Sequence, residues 1–195
     1  MGDIMNDFTR IIEENSIKMG YISGSDKVLF IKCGQGGSIY GYDNKYLKTA
    51  CSVNEKYGYS VFVSETLDDK REVFEREMNI VKTLVNKDCR INFLGVSKGG
   101  LLILWHCCDG INVEHITAIN APLMINFHNR TRPAIQRIGR ENITMFYGTE
   151  DPSYSYVPFL ASQVNIEIIQ GADHNLVGGK ISFEDIVESI INTKH

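Results

Sequence analysis

Six short runs of apolar, β-branched and aromatic residues recur along the chain: KVLFIKC (27–33), YSVFVSE (59–65), RINFLGV (90–96), HITAINA (115–121), NITMFYG (142–148) and VNIEIIQG (164–171). They are nearly continuous in hydrophobicity rather than alternating, which is the pattern of strands covered on both faces. Between them the period changes to that of a helix. In DDKREVFEREMNIVKTLVNK (68–87) the apolar positions 73, 74, 78, 81, 84 and 85 share one stripe, with charges opposite. Segments 43–56, 99–108, 153–162 and 181–193 read the same way, the last opening with Ser182 and Asp185 as a capping pair. The alternation predicts an α/β fold: a mostly parallel central sheet of about six to seven strands with helices on both faces. Ahead of it, residues 3–14 read as an amphipathic helix and IKMGYIS (17–23) as an edge strand.

Composition narrows this picture. A chain of 195 residues, 43% hydrophobic, suits one domain over 1–195, with no linker-like stretch to divide it. A net charge of −4 gives no electrostatic reason to expect nucleic acid. The acidic N-terminus (Asp3, Asp7, Glu13, Glu14) lacks the basic start and apolar stretch of a secretory signal, and no run reaches membrane-spanning length. A cytoplasmic protein with no membrane partner is expected. Five cysteines, at 33, 51, 89, 107 and 108, form no metal-ligand spacing and lie mostly among apolar neighbours, which predicts reduced thiols and no metal. No cofactor motif is present either: Ile39 stands where a dinucleotide fingerprint starting at Gly34 needs glycine, and no phosphate-loop pattern occurs.

The chemistry concentrates in LGVSKGGLL (94–102). Ligands of parallel sheets bind at the carboxyl ends of strands. A strand reversing into a helix within a few residues strains its tip residue and leaves no room for side chains two positions to either side. Gly95 and Gly99 supply that room around Ser97, so the serine hydroxyl stands clear of the sheet with the amides of the following helix beside it.

Through GVSKG after a predicted strand and before a predicted helix, and through CGQGGS (33–38) after the first strong strand, the sequence resembles the α/β-hydrolase fold family. The resemblance implies that the CGQGG loop, with Cys33 in place of the family's histidine, gives one oxyanion-hole amide, Gln35 or Gly36, and Lys98 the other. The family's acid usually follows a strand-ending glycine by three residues, as Asp151 follows Gly148, with Glu150 its nearest rival. His174, in the loop after the last strand, is the base. The order Ser97, Asp151, His174 is the one found on this fold. Each has a plainer reading too: Asp151 before Pro152 also suits a helix cap, and His128 competes as base but precedes the acid in sequence. His106 and His115 read as packing residues, and His195 as a chain end.

The implied activity is that of a serine hydrolase cleaving an ester or thioester through an acyl-enzyme, in the manner of a carboxylesterase or thioesterase. An acyltransferase on the same framework and a non-catalytic sensor that keeps the pocket remain open. The family's lid usually lies between HITAINA and the acid's strand. Here that interval is PLMINFHNRTRPAIQRIGRE (122–141), too short for more than a minimal lid, which favours small soluble acyl substrates. Gly36, Met124, Phe127 and Tyr154, with Tyr156, are candidates for substrate contact. Arg130, Arg132, Arg137 and Arg140 read either as an anion site or as a solvated helix face, and the Lys98 side chain offers a cation beside the nucleophile.

Overall fold

Side chains alternate along a strand, so one covered on both faces sends odd and even positions into two different cores. In the computed structural model, which describes residues 7–107 and 110–192, β3 (Lys27–Lys32) shows this directly. Val28 and Phe30 join one apolar cluster, Leu29 and Ile31 the other. The same parity holds for β4 (Ser60–Ser64) and β5 (Arg90–Val96): Phe62, Ile91 and Phe93 face the first cluster, Val61, Val63 and Leu94 the second. Helices α2 (Arg71–Leu84), α3 (Lys98–His106), α4 (Arg132–Ile138) and α5 (Val157–Leu160) cover the first face, α1 (Lys45–Tyr57) and α6 (Phe183–Asn192) the second.

With β1 (Arg10–Glu14), β2 (Ile17–Ile22), β6 (Val113–Ile119), β7 (Ile143–Gly148) and β8 (Asn165–Ile169), the sheet has, among the described residues, eight strands in the order β1-β2-β4-β3-β5-β6-β7-β8. All pairings from β4 to β8 are parallel. The N-terminal pair β1 and β2 is antiparallel, and β2 meets β4 antiparallel. The six runs seen in the sequence are β3 to β8, and the hairpin accounts for the count of eight rather than six or seven.

The hairpin corrects two expectations. Residues 10–14 form a strand, not the end of a helix, while positions 3–6 lie outside the described residues. IKMGYIS holds an interior strand, and β1 takes the edge. The helical segments fall close to expectation: 43–56 as α1, 99–108 as α3 with Cys108 outside the described residues, 153–162 as a 3-10 turn (Pro152–Tyr156) followed by α5, and 181–193 as α6 with 193 outside them. The Ser182–Asp185 capping box is closed in both directions at 2.8 and 3.1 Å. Cys33 and Cys89 are free and buried, Cys51 is free and half-buried, and Cys107 is buried. Among the described residues no helix is long and apolar enough to cross a membrane.

Beneath the carboxyl end of β3 lies a buried polar knot. The Lys32 ammonium reaches both Glu77 carboxylate oxygens, at 2.7 and 2.9 Å, and both side chains are almost wholly buried. The Ser64 hydroxyl donates to the same carboxylate and accepts the Thr66 amide at 3.1 Å. The knot ties α2 to β3 and β4 directly under the loop that starts at Cys33.

Candidate active site

Ser97 occupies the turn between β5 and α3 with φ 50° and ψ −123°, a conformation that disfavours any side chain. The turn has no slack. A Cβ on Gly95 would lie 2.2 Å from the Gly100 Cα, and one on Gly99 would lie 2.4 Å from the carbonyl oxygens of both Lys32 and Cys33. The two glycines therefore let α3 start directly against β5 and β3, and the serine is held at the tip by its amide, which donates to the Ile119 carbonyl at 2.8 Å.

The loop after β3 folds back through a turn in which the Gly37 amide donates to the Gly34 carbonyl at 3.0 Å, with Gly36 at φ 74°. Among the described residues neither the Gln35 nor the Gly36 amide is spent on a backbone partner. The Lys98 amide is in the first turn of α3, where amides have no intrahelical acceptor. The loop's far end is fixed by Glu65, whose carboxylate accepts the Ile39 amide at 2.9 Å. Cys33 is fully buried, and burial, with a smaller contribution from the Glu65 charge, pushes its thiol up to about 12. It is therefore a protonated packing group rather than a rival nucleophile.

Asp151 and His174 meet. One carboxylate oxygen of Asp151 binds His174 Nδ1, and the other accepts the Ser153 amide at 2.7 Å. The acid thus serves as helix cap and imidazole partner at once. Its side chain is fully buried whereas that of His174 is 47% exposed, so the carboxylate fixes the ring from behind and leaves Nε2 as the free nitrogen. Glu150 points to solvent. The other imidazoles are elsewhere: His106 is buried against Asp69 at 3.0 Å, His115 bonds the Thr144 hydroxyl at 3.0 Å, and His128 is exposed beside the Phe127 ring.

A cavity of about 470 Å³ opens at this edge of the sheet, bordered by Gly34 to Ser38, Gly41, Tyr42, Lys45, Tyr46, Val96, Ser97, His174 and Asn175. It brings Ser97, His174, Gln35 and Gly36 to one space. Among the described residues the Ser97 hydroxyl makes no hydrogen bond to the imidazole. The Lys98 side chain does not border the cavity, and the cation that does is Lys45. Met124, Phe127 and Tyr154 are also not part of its wall: Phe127, in the segment after β6, is buried in the core on the α3 side, and Met124, from the same segment, and Tyr154, from the turn after β7, lean on the same cluster. Arg130 is bound to Asp69 at 2.7 and 2.9 Å and stacks on Trp105, and Arg137 donates to the Cys107 carbonyl, so two of the four arginines are structural.

Besides Lys45 in the cavity wall, the asparagine that follows β6 escaped the sequence reading. Asn120 directly follows β6, at φ 50°, and is fully buried. Its amide nitrogen donates to the carbonyls of Asp173 and His174, at 3.2 and 3.0 Å, and its amide oxygen accepts the Gly148 amide at 3.0 Å. It joins the strand end beside Ser97 to both loops that carry the acid and the base. A polar residue closing an apolar strand was the available signal.

No protein-family model matches this chain, and no curated protein matches it. Solved structures do. Est1E from Butyrivibrio proteoclasticus is similar over 93% of this chain and 95% of its own, with a TM-score of 0.65 and 12% identity. A lidless α/β serine hydrolase from Xanthomonas campestris is similar over 93% and 90%, with a TM-score of 0.63 and 12% identity. The α/β hydrolase domain-containing protein 10 from mouse is similar over 94% and 96%, with a TM-score of 0.61 and 12% identity.

Proposed function

This chain has the α/β-hydrolase fold, and on it we propose a serine hydrolase that cleaves a small ester or thioester. The observation that carries the reading is the pairing of a buried Asp151 carboxylate with His174 Nδ1, the imidazole bordering the same cavity as a strained, glycine-flanked serine. A carboxylate can only accept, so Nδ1 carries the proton and Nε2 is the base. His174 Nε2 takes the proton as Ser97 Oγ adds to the carbonyl carbon. The oxyanion is met by the amides of Lys98 and of Gln35 or Gly36. Collapse of the tetrahedral adduct breaks the bond to the leaving alkoxide or thiolate, which receives the proton from His174. A water then gives its proton to Nε2 and attacks the acyl-enzyme, releasing the acid and restoring the serine. The Ser97–His174 hydrogen bond closes when substrate binds, as such bonds commonly do. The lidless serine hydrolase and the α/β hydrolase domain-containing protein among the similar structures support hydrolysis as the reaction class.

The test is labelling with a fluorophosphonate probe alongside turnover of short p-nitrophenyl esters. Ser97→Ala abolishes labelling, and Ser97→Ala and His174→Ala each lower turnover by about a thousandfold or more. His128→Ala leaves both intact. A folded wild-type protein in which Ser97 is never labelled and no ester or thioester is turned over rules the reading out.

A further inference from the structure

Among the described residues, and apart from the imidazole of His174, Lys45 is the one side chain with a formal charge that borders the cavity in front of Ser97, and no carboxylate borders it. Lys45 opens α1 and is half-buried. Its Nζ stands 5.1 Å from the centre of the Tyr46 ring and 5.4 Å from that of Phe183, and the two rings meet edge to face at 5.4 Å. Ring faces hold an ammonium in place without neutralising it.

The carboxylates nearby are engaged or out of reach. Asp43 is bound to Lys48 at 2.8 Å. Glu65 holds the Ile39 amide and pairs with Lys18 at 3.6 Å. Glu184 on α6 acts on Lys45 only through space, and among the described residues no carboxylate comes within ion-pair distance of it. The helix gains nothing from this residue, since a cation in the first turn opposes the helix dipole and no acid stands there to offset it. Burial lowers the Lys45 pKa from the usual lysine value, a penalty that a bound anion would remove. A held, unpaired cation in the wall of a reaction cavity is thus a binding group without its ligand.

We propose that Lys45 receives an anionic group on the substrate, so that this site takes acyl esters or thioesters bearing a carboxylate or phosphate in preference to neutral ones. The inference rests on Ser97 being the nucleophile. It names the substrate class and leaves to experiment which side of the scissile bond carries the anion.

Two matched pairs decide it. p-Nitrophenyl hemiglutarate against p-nitrophenyl valerate places the anion on the acyl side, and 4-acetoxyphenyl phosphate against phenyl acetate places it on the alcohol side. In one pair the wild type favours the anionic member in kcat/KM by about ten- to a hundredfold. Lys45→Met and Lys45→Gln bring that ratio close to one, and Lys45→Arg keeps it. Lys45→Met keeps most of the length of the stem and Lys45→Gln keeps a polar end, so loss in both variants reports charge rather than packing. Ratios near one in both pairs, or an unchanged ratio in both neutral variants, overturn the proposal. Fluorophosphonate labelling of Ser97 reports the nucleophile separately. Should labelling and turnover both be missing, the hydrolase reading fails, and glutarate and inorganic phosphate titrated into Ser97→Ala judge Lys45 alone. Saturable shifts of the Gly36 and Ser38 amide resonances that vanish when Lys45→Met is added uphold an anion site, and no saturable shift with either overturns it.

Discussion

Two lysines flank the loop that carries Gln35, one before it and one after, and the protein uses them in opposite ways. Lys32 is almost fully buried, bonded to both oxygens of Glu77 and in reach of the Ser64 hydroxyl. Every strong acceptor it needs comes from the chain. Lys45, half-buried in the cavity wall, has aromatic rings around it and, among the described residues, no carboxylate in contact. A charge that is buried and satisfied joins elements together, whereas a charge that is held and left unsatisfied waits for a ligand. The difference is one of partners more than of depth, and it separates the floor of the site, which works for stability, from its wall and rim, which give stability away.

The same substitution at both positions tests the distinction most sharply. Lys32→Met leaves the Glu77 carboxylate buried without its counter-charge and lowers the unfolding free energy by about 3 to 5 kcal/mol. Lys45→Met leaves no orphan and changes it by less than about 0.5 kcal/mol. Urea denaturation of the two variants side by side is the measurement. Equal losses would mean that Lys45 is as structural as Lys32, and the contrast would be void.

Asn120 sits between these cases, as fully bonded as the floor yet part of the rim. Asn120→Ala strands the buried Gly148 amide and takes a donor from two part-buried carbonyls, which costs about 1 to 3 kcal/mol. It also frees the backbone of His174. A positioning role predicts that kcat falls by up to about a hundredfold, from the displaced imidazole, while KM stays near its original value. Steady-state kinetics on a p-nitrophenyl ester, corrected for the folded fraction, separates the two effects. If the corrected kcat is unchanged, Asn120 belongs to the floor alone.

These roles also explain what the sequence did and did not reveal. Strands β3 to β8 were legible because burial on both faces demands continuous apolar runs, and the turn around Ser97 because steric crowding leaves glycine as the only choice at 95 and 99. The β1–β2 hairpin was not. As an edge strand β1 needs only Ile12 inward and tolerates Ile11 in solvent, so RIIEE reads equally well as a helix stripe. Its two-residue turn uses Asn15 and Ser16 at φ 46° and 68°, without the glycine that usually marks such a turn. Lys32, Glu77 and Lys45 look like ordinary surface charges, because the partners that set their roles are distant in sequence. Lys98 was the natural choice for a cation at the site, adjacent to the nucleophile in the chain, but adjacency along the chain did not bring its side chain to the cavity wall.

The smallest effect probes the rim at its most strained point. Ser97 has φ 50° and ψ −123°, and a non-glycine residue held in a sparsely populated region costs about 1 to 3 kcal/mol. Glycine adopts that backbone without strain but loses more freedom on folding, by about 0.4 to 1 kcal/mol. Ser97→Gly should therefore be more stable than wild type by about 1 kcal/mol, with no hydrolysis left. Ser97→Ala is equally inactive but keeps the Cβ and with it the strain, so its midpoint should stay near that of wild type. The gap between the Gly and Ala variants in denaturation midpoint isolates the backbone term from the lost hydroxyl. If the gap is absent, the serine turn is relaxed, and the rim gives up stability at Lys45 and not at its nucleophile.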